Sequence, residues 1–257
     1  MTEQALSTLI ISALALPASC RVDQRVPKKM LVENGAPASA DKRLINDAIK
    51  EIHWLAVLKP NTVGVAEYRD DVREYLEIAV LVVTLHDEMM PAKRSRLIEL
   101  IHRAVPYPVL LLLDEGQKLT LSLAHKRWAQ NEAGKVVLEG DVVTIVLDSD
   151  LTMEHPFARA LALARQPQTN LLALYQSWLD CLTAWQVAKV TGRFTLSDTP
   201  AKAAARRETL RICQRLEQEG ARLRALAVKE KQMAKQVKLN LALKHIDAEL
   251  IAAREQL

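Results

Sequence analysis

The chain has 257 residues, a formal net charge of +4 and 49% hydrophobic residues, enough apolar material for a core and too much for global disorder. Seven glycines are few for this length and argue against a fold built on glycine-rich loops, and no apolar run approaches the roughly 18 residues of a membrane span. The charge is uneven: Pro200 to Leu257 holds 13 Lys+Arg against 7 Asp+Glu, so that segment carries +6 and the first 199 residues −2.

Ala5 to Leu16 is apolar and ends in Pro17-Ala18-Ser19-Cys20, which imitates a lipoprotein cleavage site. The preceding Met1-Thr2-Glu3-Gln4 has an acid where a secretory signal needs bases, and proline stands in the wrong place for cleavage. A short buried helix is expected there, capped by Thr2 or Ser7. Arg21 to Asn34, with Pro27, Gly35 and Pro37, reads as a basic loop or wrapping segment. A helix is expected from Ser39 or Asp41, with Leu44, Ile45, Ile49, Ile52 and Leu55 on one face, ended by Lys59-Pro60-Asn61.

Thr62 to Ala66 reads as a short strand, Glu67 to Glu74 as a charged connection, and the β-branched run in Leu76 to His86 as a central strand. Pro91 opens a helix with Leu97, Ile98, Ile101 and Ala104 along its stripe. Val109 to Leu113 and Leu119 to Leu123 form a hairpin around Asp114-Glu115-Gly116-Gln117, and a last strand lies within Lys135 to Leu147 after a turn at Asn131 to Gly134. Consecutive strands with short links favour an α+β body with an antiparallel or mixed sheet of about five strands and flanking helices, residues 1–150.

Residues 151–257 read as an all-helical extension. Leu171, Tyr175, Trp178, Leu182 and Trp185 repeat at steps of four and three, and a loop follows from Gly192 to Pro200. Beyond it, Leu216, Leu223, Leu226, Met233, Val237 and Leu241 suggest a coiled-coil-like seam. One long helix and a hairpin broken near Gly220 both fit the pattern.

Chemistry-bearing patterns are sparse. Cys20, Cys181 and Cys213 are odd in number and far apart, which points to a reducing compartment, the cytoplasm, rather than a disulfide framework. None of His53, His86, His102, His125, His155 and His245 lies three or four residues from another histidine or cysteine, so no metal pair is expected, nor any cofactor. A metal-dependent nuclease needs an acid and a lysine two apart on one strand; Asp114, Glu115 and Lys118 miss that spacing and read as a charged hairpin tip. No catalytic residue is assigned, and a cryptic nuclease is the remotest alternative.

Three basic groups remain: Arg25, Lys28 and Lys29; Lys126 and Arg127 beside Trp128; and Lys231, Lys235 and Lys238. Each can neutralise phosphates or grip a protein partner, or be ordinary solvated surface.

Several stretches carry a family resemblance: Arg25-Val26-Pro27-Lys28-Lys29, Ile52-His53-Trp54, Leu58-Lys59-Pro60-Asn61-Thr62, Val105-Pro106-Tyr107-Pro108-Val109, Leu123-Ala124-His125-Lys126-Arg127, and Glu230-Lys231-Gln232-Met233 through Val237-Lys238-Leu239-Asn240. In this order, over nearly the whole chain, they resemble a bacterial family known as domain of unknown function 4391. The sequence departs from it at Ala234-Lys235-Gln236, where a more basic, asparagine-containing stretch is expected. The resemblance implies a companion of helicases and DNA methyltransferases in restriction-type, anti-phage gene clusters. On that basis the expected role is an accessory subunit binding a helicase or methyltransferase, with DNA or RNA binding as the alternative, no membrane contact, and self-pairing through the C-terminal helix as a further option.

Overall fold

The computed structural model describes residues 5–130, 132 and 134–257. Thr2, one of the expected caps, and the Asn131 start of the expected turn lie outside them. The chain divides into two compact units, Met1–Leu182 and Thr183–Leu257.

The first unit opens with α1 (Leu6–Leu14), whose Leu6, Leu9, Ile10, Ala13 and Leu14 are buried. No side chain caps it, so Ser7 sits inside the first turn instead of capping it. Arg21 to Asn34 is regular rather than a wrapping loop. Arg21–Arg25 is strand β1 and Lys28–Gly35 is helix α2. Pro27 stands just before the first turn of α2, where its missing N–H costs nothing, so the proline that suggested a loop marks a helix start.

Helix α3 (Ser39–Ala48) stops short of the expected span, and Ile49–Leu58 is strand β2. Steps of three from Ile49 to Ile52 to Leu55 imitate a helix face. The strand reaches the same burial because its pairing register shifts between Ile49 and Glu51 and again between Trp54 and Ala56. Each irregularity inserts a residue and resets the period of two. The expected strand at Thr62 to Ala66 is instead a single turn, α4 (Pro60–Val63). The Lys59 N–H donates to Thr62 Oγ1 at 2.9 Å, and Gly64 closes the turn at a left-handed φ of 71°. β3 (Tyr68–Arg69) and β4 (Glu74–Tyr75) pair as a small ribbon within the charged connection.

β5 (Ile78–Leu85), α5 (Pro91–Ala104), β6 (Val109–Asp114), β7 (Leu119–Trp128) and β8 (Val136–Leu147) lie where the sequence puts them. The main sheet is mixed, with six strands in the order β1-β2-β5-β6-β7-β8, and only β5 and β6 run parallel, joined through α5. Ala79, Leu81, Val83, Leu85, Val109, Leu111 and Leu113 of this sheet join Leu31, Ile45 and the α5 residues Leu97, Ile98 and Ile101 in one core. Arg96 of α5 donates from Nε and Nη2 to both Asp41 oxygens of α3, at 2.9 and 2.8 Å, and holds that carboxyl below the usual carboxylate range. Gly35 of α2 lies against α5 so closely that a Cβ there would stand 2.6 Å from the Leu100 carbonyl oxygen.

After α6 (Pro156–Ala160), helix α7 (Leu171–Thr191) begins in this unit, with Leu171, Tyr175, Trp178 and Leu182 buried. Tyr175 reaches the sheet where the β7–β8 register shifts between Leu123 and His125. Its hydroxyl accepts the Ala124 N–H at 2.9 Å and lies 2.8 Å from the Val109 carbonyl and 3.0 Å from that of Ala124. A side chain thus satisfies backbone groups that the ladder leaves open.

In the second unit, α8 (Pro200–Lys229) runs straight through Gly220, and the chain turns at residues 230–232 into α9 (Met233–Arg254). Arg224–Asp247 and Arg254–Glu217, both 2.7 Å, step in opposite directions along the two helices, so they form an antiparallel hairpin. Cys213, Leu216 and Ala253 make its core, with Ile246, Leu250 and Leu257 against them.

Candidate functional site

The first basic group is partly committed to the fold. Lys28 Nζ donates to the Asn46 carbonyl at 3.0 Å and Lys29 pairs with Glu33 at 3.4 Å. Arg25, at the end of β1, is exposed. In the second group, Arg127 donates to the Trp128 carbonyl at 3.0 Å.

Lys126 points inward. It is 3% exposed, and Nζ donates to the carbonyls of His102, at 2.7 Å, and of Val105. Those oxygens belong to the last turn of α5, where helical carbonyls lack intrahelical partners. Lys126 therefore acts as a cap, its amine donating to open carbonyls at the end of a helix. Burial pulls its amine down to about 7.

Beside it, His102 Nε2 lies 2.6 Å from Ser122 Oγ, both residues fully buried. A Ser–His contact with a lysine nearby resembles a nucleophilic arrangement. Burial and the neighbouring Lys126 charge push the imidazole down to about 3, so the ring is neutral in the folded protein. His102 Nδ1 has no hydrogen-bond partner. An orphaned acceptor costs less than an orphaned N–H, which places the proton on Nε2, donating to Ser122. A ring holding that tautomer cannot take the serine proton, and the arrangement is a buried structural contact.

A second network joins the ribbon, the sheet and α7. The Gln176 side-chain amide donates to Asp180 at 3.0 Å, so its oxygen is left to accept from His125 Nε2 at 2.9 Å. That fixes the His125 tautomer and makes Nδ1 the acceptor of the Tyr75 hydroxyl, 2.5 Å away. Burial raises the Tyr75 phenol above its ordinary value, so it stays protonated. At the β6–β7 tip, Asp114 accepts the Gly116 N–H, Glu115 pairs with Arg94 and Lys118 with Glu88. Asp114 holds the turn itself, while Glu115 and Lys118 tie the tip to α5 and to the segment before it. Among the described residues no three His, Cys, Asp or Glu side chains come together as a metal would need, and no helix is long and apolar enough to cross a membrane.

The third basic group lies on the helical hairpin. Lys231 stands in the turn, Lys235 and Lys238 on α9, all exposed. The same region carries the largest exposed apolar side chains of the unit: Val228 at 85%, Met233 at 77%, and Val237, Leu241 and Ile251 at half or more. The expected seam therefore splits. Leu216 and Leu223 are buried on α8, whereas Met233, Val237 and Leu241 face away from it. On α9, residues 233, 237 and 241 fall on one side and Ile246, Leu250, Ala253 and Leu257 on the other, so the helix is apolar on two opposite faces. A helix apolar all round normally has both faces covered. The apolar positions and the lysines are each legible in the sequence, but their common surface is not. A count of two apolar stripes along α9 was the available signal.

A family model described as "Domain of unknown function (DUF4391)" matches residues 14–250. No curated protein and no solved structure matches the chain.

Proposed function

The chain belongs to the DUF4391 family, and for this member we propose a non-catalytic accessory role in which the helical hairpin grips a larger protein. The observation that carries the reading is the uncovered stripe of Met233, Val237 and Leu241 on the face of α9 opposite its contact with α8. Isolated apolar side chains on a surface are ordinary, but a row at helical spacing on a two-faced helix is the geometry of helix docking. The family resemblance suggests the partner class, a helicase or DNA methyltransferase of an anti-phage gene cluster acting in the cytoplasm. Lys126 and His102 are occupied within the fold, which further favours action through surface.

The test is copurification of the full chain with the products of its neighbouring genes, using native protein and the triple variant M233S/V237S/L241S. The expected result is recovery of a helicase or methyltransferase subunit with the native chain and its loss with the variant. Equal recovery by both sinks the proposal. A nucleic-acid-binding module is the second reading, favoured by the exposed Arg25, Lys231, Lys235 and Lys238. It requires DNA or RNA binding that weakens steeply with salt.

A further inference from the structure

We infer that the outer face of α9 is built for one kind of occupant, an acidic amphipathic helix from a protein partner; this deepens the accessory-subunit reading and rests on it.

Charge accompanies the apolar row closely. From Val228 to Lys244 the sequence holds Lys229, Lys231, Lys235, Lys238 and Lys244 against a single acid, Glu230. Three arginines elsewhere on the hairpin are matched within the chain: Arg222 pairs with Glu219, Arg224 with Asp247 and Arg254 with Glu217. Glu230 is used locally, accepting the Gln232 N–H at 2.8 Å. Among the described residues no acid pairs with Lys231, Lys235, Lys238 or Lys244. At 3.6 residues per turn Lys244 falls in line with Met233, Val237 and Leu241, and Lys238 falls on their flank. The apolar row thus shares its surface with Lys244 and is flanked by Lys238, while Lys235 falls toward the α8 side.

The backbone adds to the same sign. The first turn of α9 contains no acid, and Gln232 before it makes no side-chain cap. The positive end of the helix dipole lies beside the lysines and meets one carboxylate, that of Glu230 on the Gln232 N–H. A helix partner with leucine-like residues on one face and carboxylates along its margins supplies both missing components, apolar cover and negative charge.

A second copy of this chain fits less well. Lys244 stands near the middle of the row running from Met233 to Ile251, so a two-fold pairing along that row would set Lys244 against its own copy. Like charges brought together at an interface oppose association.

The probe is a blocked peptide of about 18 residues, long enough to hold a helix, with leucines at helical spacing and glutamates elsewhere. Its counterpart replaces every glutamate by lysine. Binding to the full chain is followed by fluorescence anisotropy, with circular dichroism confirming that every variant stays helical. The glutamate peptide should bind the native chain and lose binding to M233S/V237S/L241S. Against K238E/K244E it should weaken at least about tenfold while the lysine peptide gains. Equal binding of both peptides, or of neither, overturns the inference. So does a face occupied by phosphatidylglycerol vesicles or duplex DNA in preference to the glutamate peptide, or by a second copy in sedimentation at working concentration. If the natural complex depends on the apolar triple but ignores K238E/K244E, the acidic helix falls and the accessory role stands. If the triple variant leaves that complex intact, the accessory role itself falls.

Discussion

Replacing Lys126 by methionine separates two opposed effects in the core of the first unit. Methionine keeps an unbranched stem and removes the amine, so the carbonyls of His102 and Val105 lose their donor. Each buried acceptor left open costs about 1–3 kcal/mol. Against this stands the cost of burying the amine, which burial brings down to about 7 from an ordinary value of about 10.4. Between those values the unfolded chain keeps the proton and the folded chain has released it. Unfolding then takes up a proton, and native stability rises with pH across the window. By linkage the gain from pH 7 to pH 9 is about 2 kcal/mol, and the methionine variant lacks it. Urea unfolding of both proteins at the two pH values should show the gap between native and variant widening by that amount in favour of the native chain. A gap that does not change with pH would mean that the carbonyls at the end of α5 hold the ammonium charged throughout, and the reasoning about burial would be wrong.

Acid should destabilise the native chain through His102. Its folded value of about 3 lies below the ordinary one of about 6.5, so lowering the pH from 7.5 to 5 costs about 2 kcal/mol, and His102→Gln should lose correspondingly less over that interval in urea titrations. Gly35→Ala would set a methyl group 2.7 Å from Ala104 Cβ as well as against the Leu100 carbonyl. A loss of about 1–3 kcal/mol should appear as a lower melting temperature, and an unchanged one refutes the close approach of α2 to α5. Tyr175→Phe removes the group that serves Ala124 and Val109. It should cost about 1–3 kcal/mol and strip the Ala124 amide of its hydrogen-exchange protection, whereas retained protection would show the ladder closing without the hydroxyl.

Length, hydrophobic periodicity and turn residues were enough to place β5, α5, the β6–β7 hairpin, β8 and the helical C-terminal region, because each is a long element with one strong period. The errors lie where local signals are double-valued. Ile49, Ile52 and Leu55 satisfy a helix, and only pairing of β2 between β1 and β5, with its two register shifts, makes them a strand. Pro27 reads equally as a loop residue and as the start of α2. Gly220 is the weakest helix former in the interior of α8, yet the helix passes through it, with Ile246 of α9 at ordinary contact distance from where a Cβ would stand.

The sequence by itself determined which residues are apolar, which are basic, and that no motif of paired nucleophile, metal ligands or phosphate loop is present to read. Tertiary structure alone decided where those side chains point. Lys126 and Lys238 are the same chemical group in two basic stretches, but one caps the end of α5 inside the core and the other stands in solvent on α9. The reason is that burial depends on what a strand or helix face meets across the fold, and in the second unit α9 meets α8 on one of its two apolar faces and leaves the other open.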